Sequence, residues 1–202
     1  MQIYTSECGG VKLANVRKYG LGIMLSPLAM SKRDYKGIPL ALDNGAFRAW
    51  TLGYPFIESA FVRALAKGYE LGWPLTFIVC PDLVAQGLDS LIFSMEWARR
   101  RPGCKKLALA VQDGLNPTIV HNQTADLGFS TIFVGGTKKW KWETAADWVS
   151  FAHEKDMKVH IGRCGTLKGL ETAAALGVDS VDSSNFARND SWHVLEQFGL
   201  GG

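Results

Sequence analysis

A repeated alternation constrains this chain more than any other feature: short apolar runs, rich in β-branched residues or bounded by turn signals, each followed by a stretch of helical periodicity. A run such as Thr76-Phe77-Ile78-Val79 is apolar at successive positions, so both faces of the strand must be covered, as in a parallel sheet with helices packed on it. Strands are predicted over residues 22–25, 39–42, 75–80, 106–111, 131–134, 158–161 and 180–181, and helices over 56–71, 88–100, 117–127, 144–155 and 167–176. An eighth strand comes either from residues 1–4 or from the region near Ser191. Repeated βα units imply an α/β fold, and their number favours a compact (β/α)8-type barrel, closed or trimmed, over a long doubly wound sheet.

The chain has 202 residues, 47 % of them hydrophobic, enough for one sizeable core and too few for two ordinary domains. Residues 1–202 are therefore read as one barrel domain. A net charge of +3 creates no strong overall field, so any basic footprint for nucleic acid must be local. No run approaches the roughly 18 apolar residues of a membrane span, and the first ten residues lack a signal-peptide pattern. A soluble, cytoplasmic protein with no membrane partner is expected. Cys8, Cys80, Cys104 and Cys164 form no C-x-x-C pair, which predicts reduced thiols and no metal.

Strand after strand ends in a polar or glycine-containing turn: Asp43-Asn44-Gly45, Pro81-Asp82, Gln112-Asp113-Gly114, Gly135-Gly136-Thr137, Arg163-Cys164-Gly165 and Asp182-Ser183-Ser184. In a closed parallel barrel these ends converge on the face where such barrels carry their active sites. Any one of these turns can equally be read as a helix cap or an ordinary turn. Together, separated aspartates suit base exchange: one carboxylate attacks an anomeric carbon and a second shuttles protons on the departing and arriving base. A third carboxylate and an amide can read a base edge, and a Gly-Gly turn adds unobstructed backbone donors.

In order and spelling these turns resemble the tRNA-guanine transglycosylase superfamily, and especially its short phage-type branch that inserts 7-deazaguanines into DNA. Asp43-Asn44-Gly45-Ala46-Phe47 looks like the family's Asp-Ser-Gly-Gly-Phe turn, and Ala110-Val111-Gln112-Asp113-Gly114 is similar to its Val-Gln-Gly-Gly segment. Val134-Gly135-Gly136 resembles the loop that closes on the base, and Gly162-Arg163-Cys164-Gly165-Thr166 the Gly-Val-Gly-Thr turn. Gly177-Val178-Asp179-Ser180-Val181-Asp182, with Ala187-Arg188-Asn189 downstream, is similar to the family's Gly-Val-Asp-x-x-Asp and Thr-Arg-Asn. The resemblance implies Asp182 as nucleophile, Asp43 as general acid/base, and Asp82, Gln112, Gly135, Gly136 and Phe47 as the base-binding set. Asp82 matches by strand position more than by spelling. The tRNA-acting members carry a downstream zinc site of three cysteines and a histidine that has no counterpart after Asn189, which favours the DNA-acting branch.

The expected function is thus exchange of guanine in DNA for a free 7-deazaguanine base, such as 7-cyano-7-deazaguanine, with no cofactor. Lys138-Lys139-Trp140-Lys141-Trp142 interleaves cations with aromatics able to contact phosphates and bases, with a solvated helix entry as the alternative reading. Arg163, Lys168 and Arg188 are further phosphate candidates, with surface solubility as the alternative reading preferred for any one of them. Trp50 and Phe186 join Phe47 either as pocket wall or as ordinary core. His160 is read as a hydrogen-bonded core histidine rather than a ligand. The runner-up is the same chemistry on tRNA. A non-catalytic nucleic-acid-binding subunit and a phosphate-binding barrel enzyme are the other classes, and a second copy or an accessory protein is open as partner.

Overall fold

In the computed structural model, which describes residues 1–28, 30–31, 33–101 and 103–201, eight parallel strands close into a barrel in sequence order. They are β1 (Gln2–Ser6), β2 (Gly22–Leu25), β3 (Leu40–Leu42), β4 (Leu75–Val79), β5 (Leu107–Val111), β6 (Thr131–Val134), β7 (Lys158–Ile161) and β8 (Ser180–Asp182). β1 supplies the eighth strand and closes the barrel by pairing with β8, Tyr4 opposite Asp182. The helices are α1 (Val11–Lys18), α2 (Ala46–Thr51), α3 (Glu58–Glu70), α4 (Gly87–Arg99), α5 (Pro117–Thr124), α6 (Lys138–Glu154), α7 (Leu167–Ala175), α8 (Asn185–Arg188) and α9 (His193–Gln197). The barrel is closed, and the β2–β3 connection has no helix among its described residues.

Capping explains where several helices begin. The Asn116, Thr137 and Thr166 side chains accept hydrogen bonds from the backbone N–H groups of Ile119, Trp140 and Gly169, at the starts of α5, α6 and α7. The Thr137 cap starts α6 at Lys138, not at the predicted 144, so the Lys-Lys-Trp-Lys-Trp segment is helical.

Two apolar layers divide the work of burial. The larger lies between strands and helices and contains Phe61, Trp97 and Trp148, all fully buried. The smaller fills the barrel itself with Tyr4, Ala41, Phe77, Val79, Ala108 and Ala110, against which Met24 and Phe133 pack. The Tyr4 hydroxyl is 2.8 Å from Thr76 Oγ1, so this inner layer has a satisfied polar anchor. The aromatic layer is the floor on which the mouth of the barrel is built. No helix among the described residues is long and apolar enough to cross a membrane.

Candidate active site

Strand phase decides what reaches the mouth. His160 and Ser180 are register partners on β7 and β8, and successive inward positions alternate along each strand, so His160, Ser180 and Asp182 all face the interior. His160 is fully buried among Phe133, Phe77 and Tyr4, with ring centroids 4.7, 4.9 and 6.0 Å away. Its Nε2 is 3.0 Å from Asp182 Oδ1 and its Nδ1 is 2.9 Å from Ser180 Oγ. Because a carboxylate only accepts, Nε2–H donates to Asp182 and, in the neutral ring, Nδ1 accepts from the Ser180 hydroxyl. The core-histidine reading therefore describes its burial and misses its partner: the ring orients Asp182. Replacing it by Phe keeps a ring in the cage but strips both hydrogen bonds, so His160→Phe is expected to lose about 1–3 kcal/mol in urea unfolding.

Asp43, at the end of β3, comes within electrostatic reach of both Asp182 and Asp82. Burial, reinforced by those two negative charges, pushes its carboxyl up to about 7, against the opposing N–H bonds from Asn44 and Gly45. Asp82 is pushed up to about 6, again by burial, with the Asn44 amide pulling the other way. Asn44, which sequence reasoning passed over, ties the two turns together. Its Nδ2 donates to Asp82 Oδ1 at 2.7 Å and to the Cys80 carbonyl at 2.8 Å, while its Oδ1 accepts from Ala46 N. The Asn-Gly spelling was the available signal for a turn, but not for a link across strands.

Gln112 is at the predicted strand end and is 4 % exposed. Its Nε2 donates to Asp82 Oδ2 (3.2 Å), the Leu83 carbonyl (3.1 Å) and Ser90 Oγ (2.8 Å), and its Oε1 accepts from Ala85 N (2.6 Å). In place of a free base-reading amide, the structure has a strut that holds Asp82 and the loop after β4. Asp113 is a strut as well, its two oxygens accepting from Thr137 N and Oγ1 at 2.7 and 2.6 Å. Burial raises its carboxyl, yet the Thr137 bonds outweigh that and hold it below the ordinary value.

The Gly135-Gly136 turn is shaped by close approach. Gly135 N–H bonds the Val111 carbonyl, continuing the ladder. Gly136 has φ +67°, and a Cβ there would lie 2.6 Å from both Asp113 Oδ2 and the Trp140 ring. Gly136→Ala is accordingly expected to destabilise the protein by roughly 2–4 kcal/mol, read as a lowered midpoint in urea, since strain and overlap add.

Arg163 adopts φ 57°, unusual for a residue with a side chain. From the end of β7 its guanidinium donates to the Gly136 carbonyl and lies 4.6 Å from the ring centroid of Phe47, just beyond β3. β3 and β7 are four strands apart in a closed ring of eight, hence diametrically opposite. The Arg163–Phe47 contact therefore bridges the mouth.

Lys141 requires a correction. Expected at the surface as a phosphate contact, it is 3 % exposed, its ammonium donating to the Gly162 carbonyl. Burial, aided by the charge of Arg163, lowers its pKa to about 8. Helix geometry is the reason: Lys141 shares a face with the buried Ala145, Trp148 and Ala152. Lys138 and Lys139 are exposed, the latter 3.8 Å from Glu143, while Trp140 is half-buried against Trp148. Arg188 is exposed on α8, and Phe186 belongs to the core. Trp50 is exposed, outside the core.

The assembled site thus brings together Asp182, Asp43, Asp82 and His160, supported by Asn44 and Gln112 and roofed by Phe47 and Arg163. Such a set can supply an oriented carboxylate and a second carboxyl able to exchange a proton near neutral pH. No protein-family model matches the chain, and no curated protein matches it.

Proposed function

We propose that the protein is a guanine transglycosylase acting on DNA, which replaces a guanine by a 7-deazaguanine such as 7-cyano-7-deazaguanine through a covalent aspartyl–sugar intermediate. The observation that carries this reading is the unequal treatment of two carboxyls at one mouth. Asp182 is held by His160 Nε2 at 3.0 Å, whereas Asp43 is pushed up to about 7. Different environments for neighbouring acids assign different roles to them.

Asp182 attacks C1′ of the target nucleotide through its second oxygen, Oδ2, as the bond from C1′ to guanine N9 breaks. Asp43, in its protonated form, gives a proton to the departing guanine. The incoming deazaguanine then loses its N9 proton to the Asp43 carboxylate, and N9 displaces Asp182 from C1′. Two displacements restore the sugar configuration, and no cofactor or hydrolysis enters the balance. Asp82 binds the base edge, and the Arg163–Phe47 bridge opens to admit a base flipped from its stack.

Incubating the protein with guanine-containing DNA, matched tRNA and a labelled free deazaguanine tests the proposal. Label is expected in DNA. Label in tRNA alone moves the substrate assignment, and label in neither removes the reading.

A further inference from the structure

Beyond the mouth, α2 and the loop after it hold an unusual surface. Phe47, Trp50 and Tyr54 are 41, 53 and 63 % exposed, whereas Trp97 and Trp148 are fully buried. The Phe47 and Trp50 rings are 5.9 Å apart and tilted by 34°, forming one shelf on the helix that follows the Asp43 turn. Leu52 and Ile57, in the same segment, are also exposed.

We propose that Phe47, Trp50 and Tyr54 form a stacking platform for single-stranded nucleic acid, holding the bases that flank the one entering the mouth. This rests on the proposed exchange reaction and adds the strandedness of its substrate.

Charge selects this occupant over a protein surface. Between residues 44 and 57 the only charged side chain is Arg48. The next acid, Glu58, faces Arg100 and Arg101 at 3.7 Å, so its charge is matched on the side of α4. Across the mouth the Arg163 guanidinium covers Phe47, and the exposed Lys138 and Lys139 follow directly on the turn that holds Arg163. Aromatic faces on a segment that carries no acid, beside the exposed Lys138 and the Arg163 guanidinium, complement a polyanion carrying flat bases. A duplex hides its base faces in its own stack, so only an unpaired strand can use such a shelf.

Oligothymidylate of about 12 nucleotides, which contains no guanine, isolates the platform from exchange. Fluorescence anisotropy should show binding to the single strand and weaker binding to the matching duplex. Trp50→Ala and Tyr54→Ala should each weaken the single-strand complex by roughly tenfold. Tyr69→Ala, which removes a comparably exposed aromatic at the far end of α3, should leave it unchanged. Asp182→Asn should lose exchange yet still bind the single strand, so loss of exchange and loss of the platform are separate results. Wild-type affinity in Trp50→Ala and Tyr54→Ala, with thermal melting confirming their fold, overturns the proposal. So does equal binding of duplex, or a dimer that these substitutions dissociate.

Discussion

Asp182→Asn is expected to abolish base exchange, to at least about a thousandfold below wild type, while leaving the barrel folded. An amide keeps the oxygen that His160 Nε2 holds at 3.0 Å, so the side chain can stay in place. It carries no negative charge with which to attack C1′. The same substitution has a second consequence that needs no substrate. The charge of Asp182 helps raise the Asp43 carboxyl to about 7, so its removal should lower that value. Carboxyl-carbon NMR titration of Asp43 in both proteins reads this directly. An unchanged Asp43 titration would show that the two groups do not share a site.

Asp43→Asn should lose roughly 100- to 10,000-fold in exchange and, at alkaline pH, gain stability. Asp43 titrates near 7 in the folded protein and near 3.9 in an unfolded chain, so the fold holds its proton more tightly. A raised carboxyl contributes stability that is complete below about pH 4 and is lost as pH rises through about 7. The Asn variant, with nothing to ionise there, escapes this loss. Its advantage in unfolding free energy should be small at pH 4 and grow to on the order of 2–4 kcal/mol at pH 8. Asp82, raised to about 6, adds a loss of the same sign in both proteins. For activity the same proton matters in reverse. Wild-type kcat/KM should fall above about pH 7 as the acid proposed to protonate guanine is lost, and Asp43→Asn should lack that limb.

The strands were legible because burial on both faces writes itself as continuous apolar runs, and each predicted strand overlaps one of the barrel. α1 and α2 were not, since Val11–Lys18 and Ala46–Thr51 are short and their apolar positions make no clear stripe. Lys141 shows how a boundary error becomes a functional one. A helix beginning at 144 leaves the lysine outside it; with the helix capped by Thr137 and begun at Lys138, the helical period puts it on the buried face.

For the candidate site, strand ends marked Asp43, Asp82 and Asp182 because a parallel barrel gathers them by topology. What topology does not give is pairing across strands. The alternation within β7 marks His160 as inward, but only the register that sets it opposite Ser180 shows that it meets Asp182. Gln112 was located correctly, yet its partners Ala85 and Ser90 belong to a loop and a helix whose approach no local pattern records.

Intact mass of the wild-type protein after incubation with guanine-containing single-stranded DNA, without any incoming base, tests the central claim most directly. A species of protein plus oligonucleotide less one guanine, with the bond mapped to Asp182 and absent in Asp182→Asn, is the predicted result. Release of guanine without such a species, or an adduct that persists in Asp182→Asn, would contradict it.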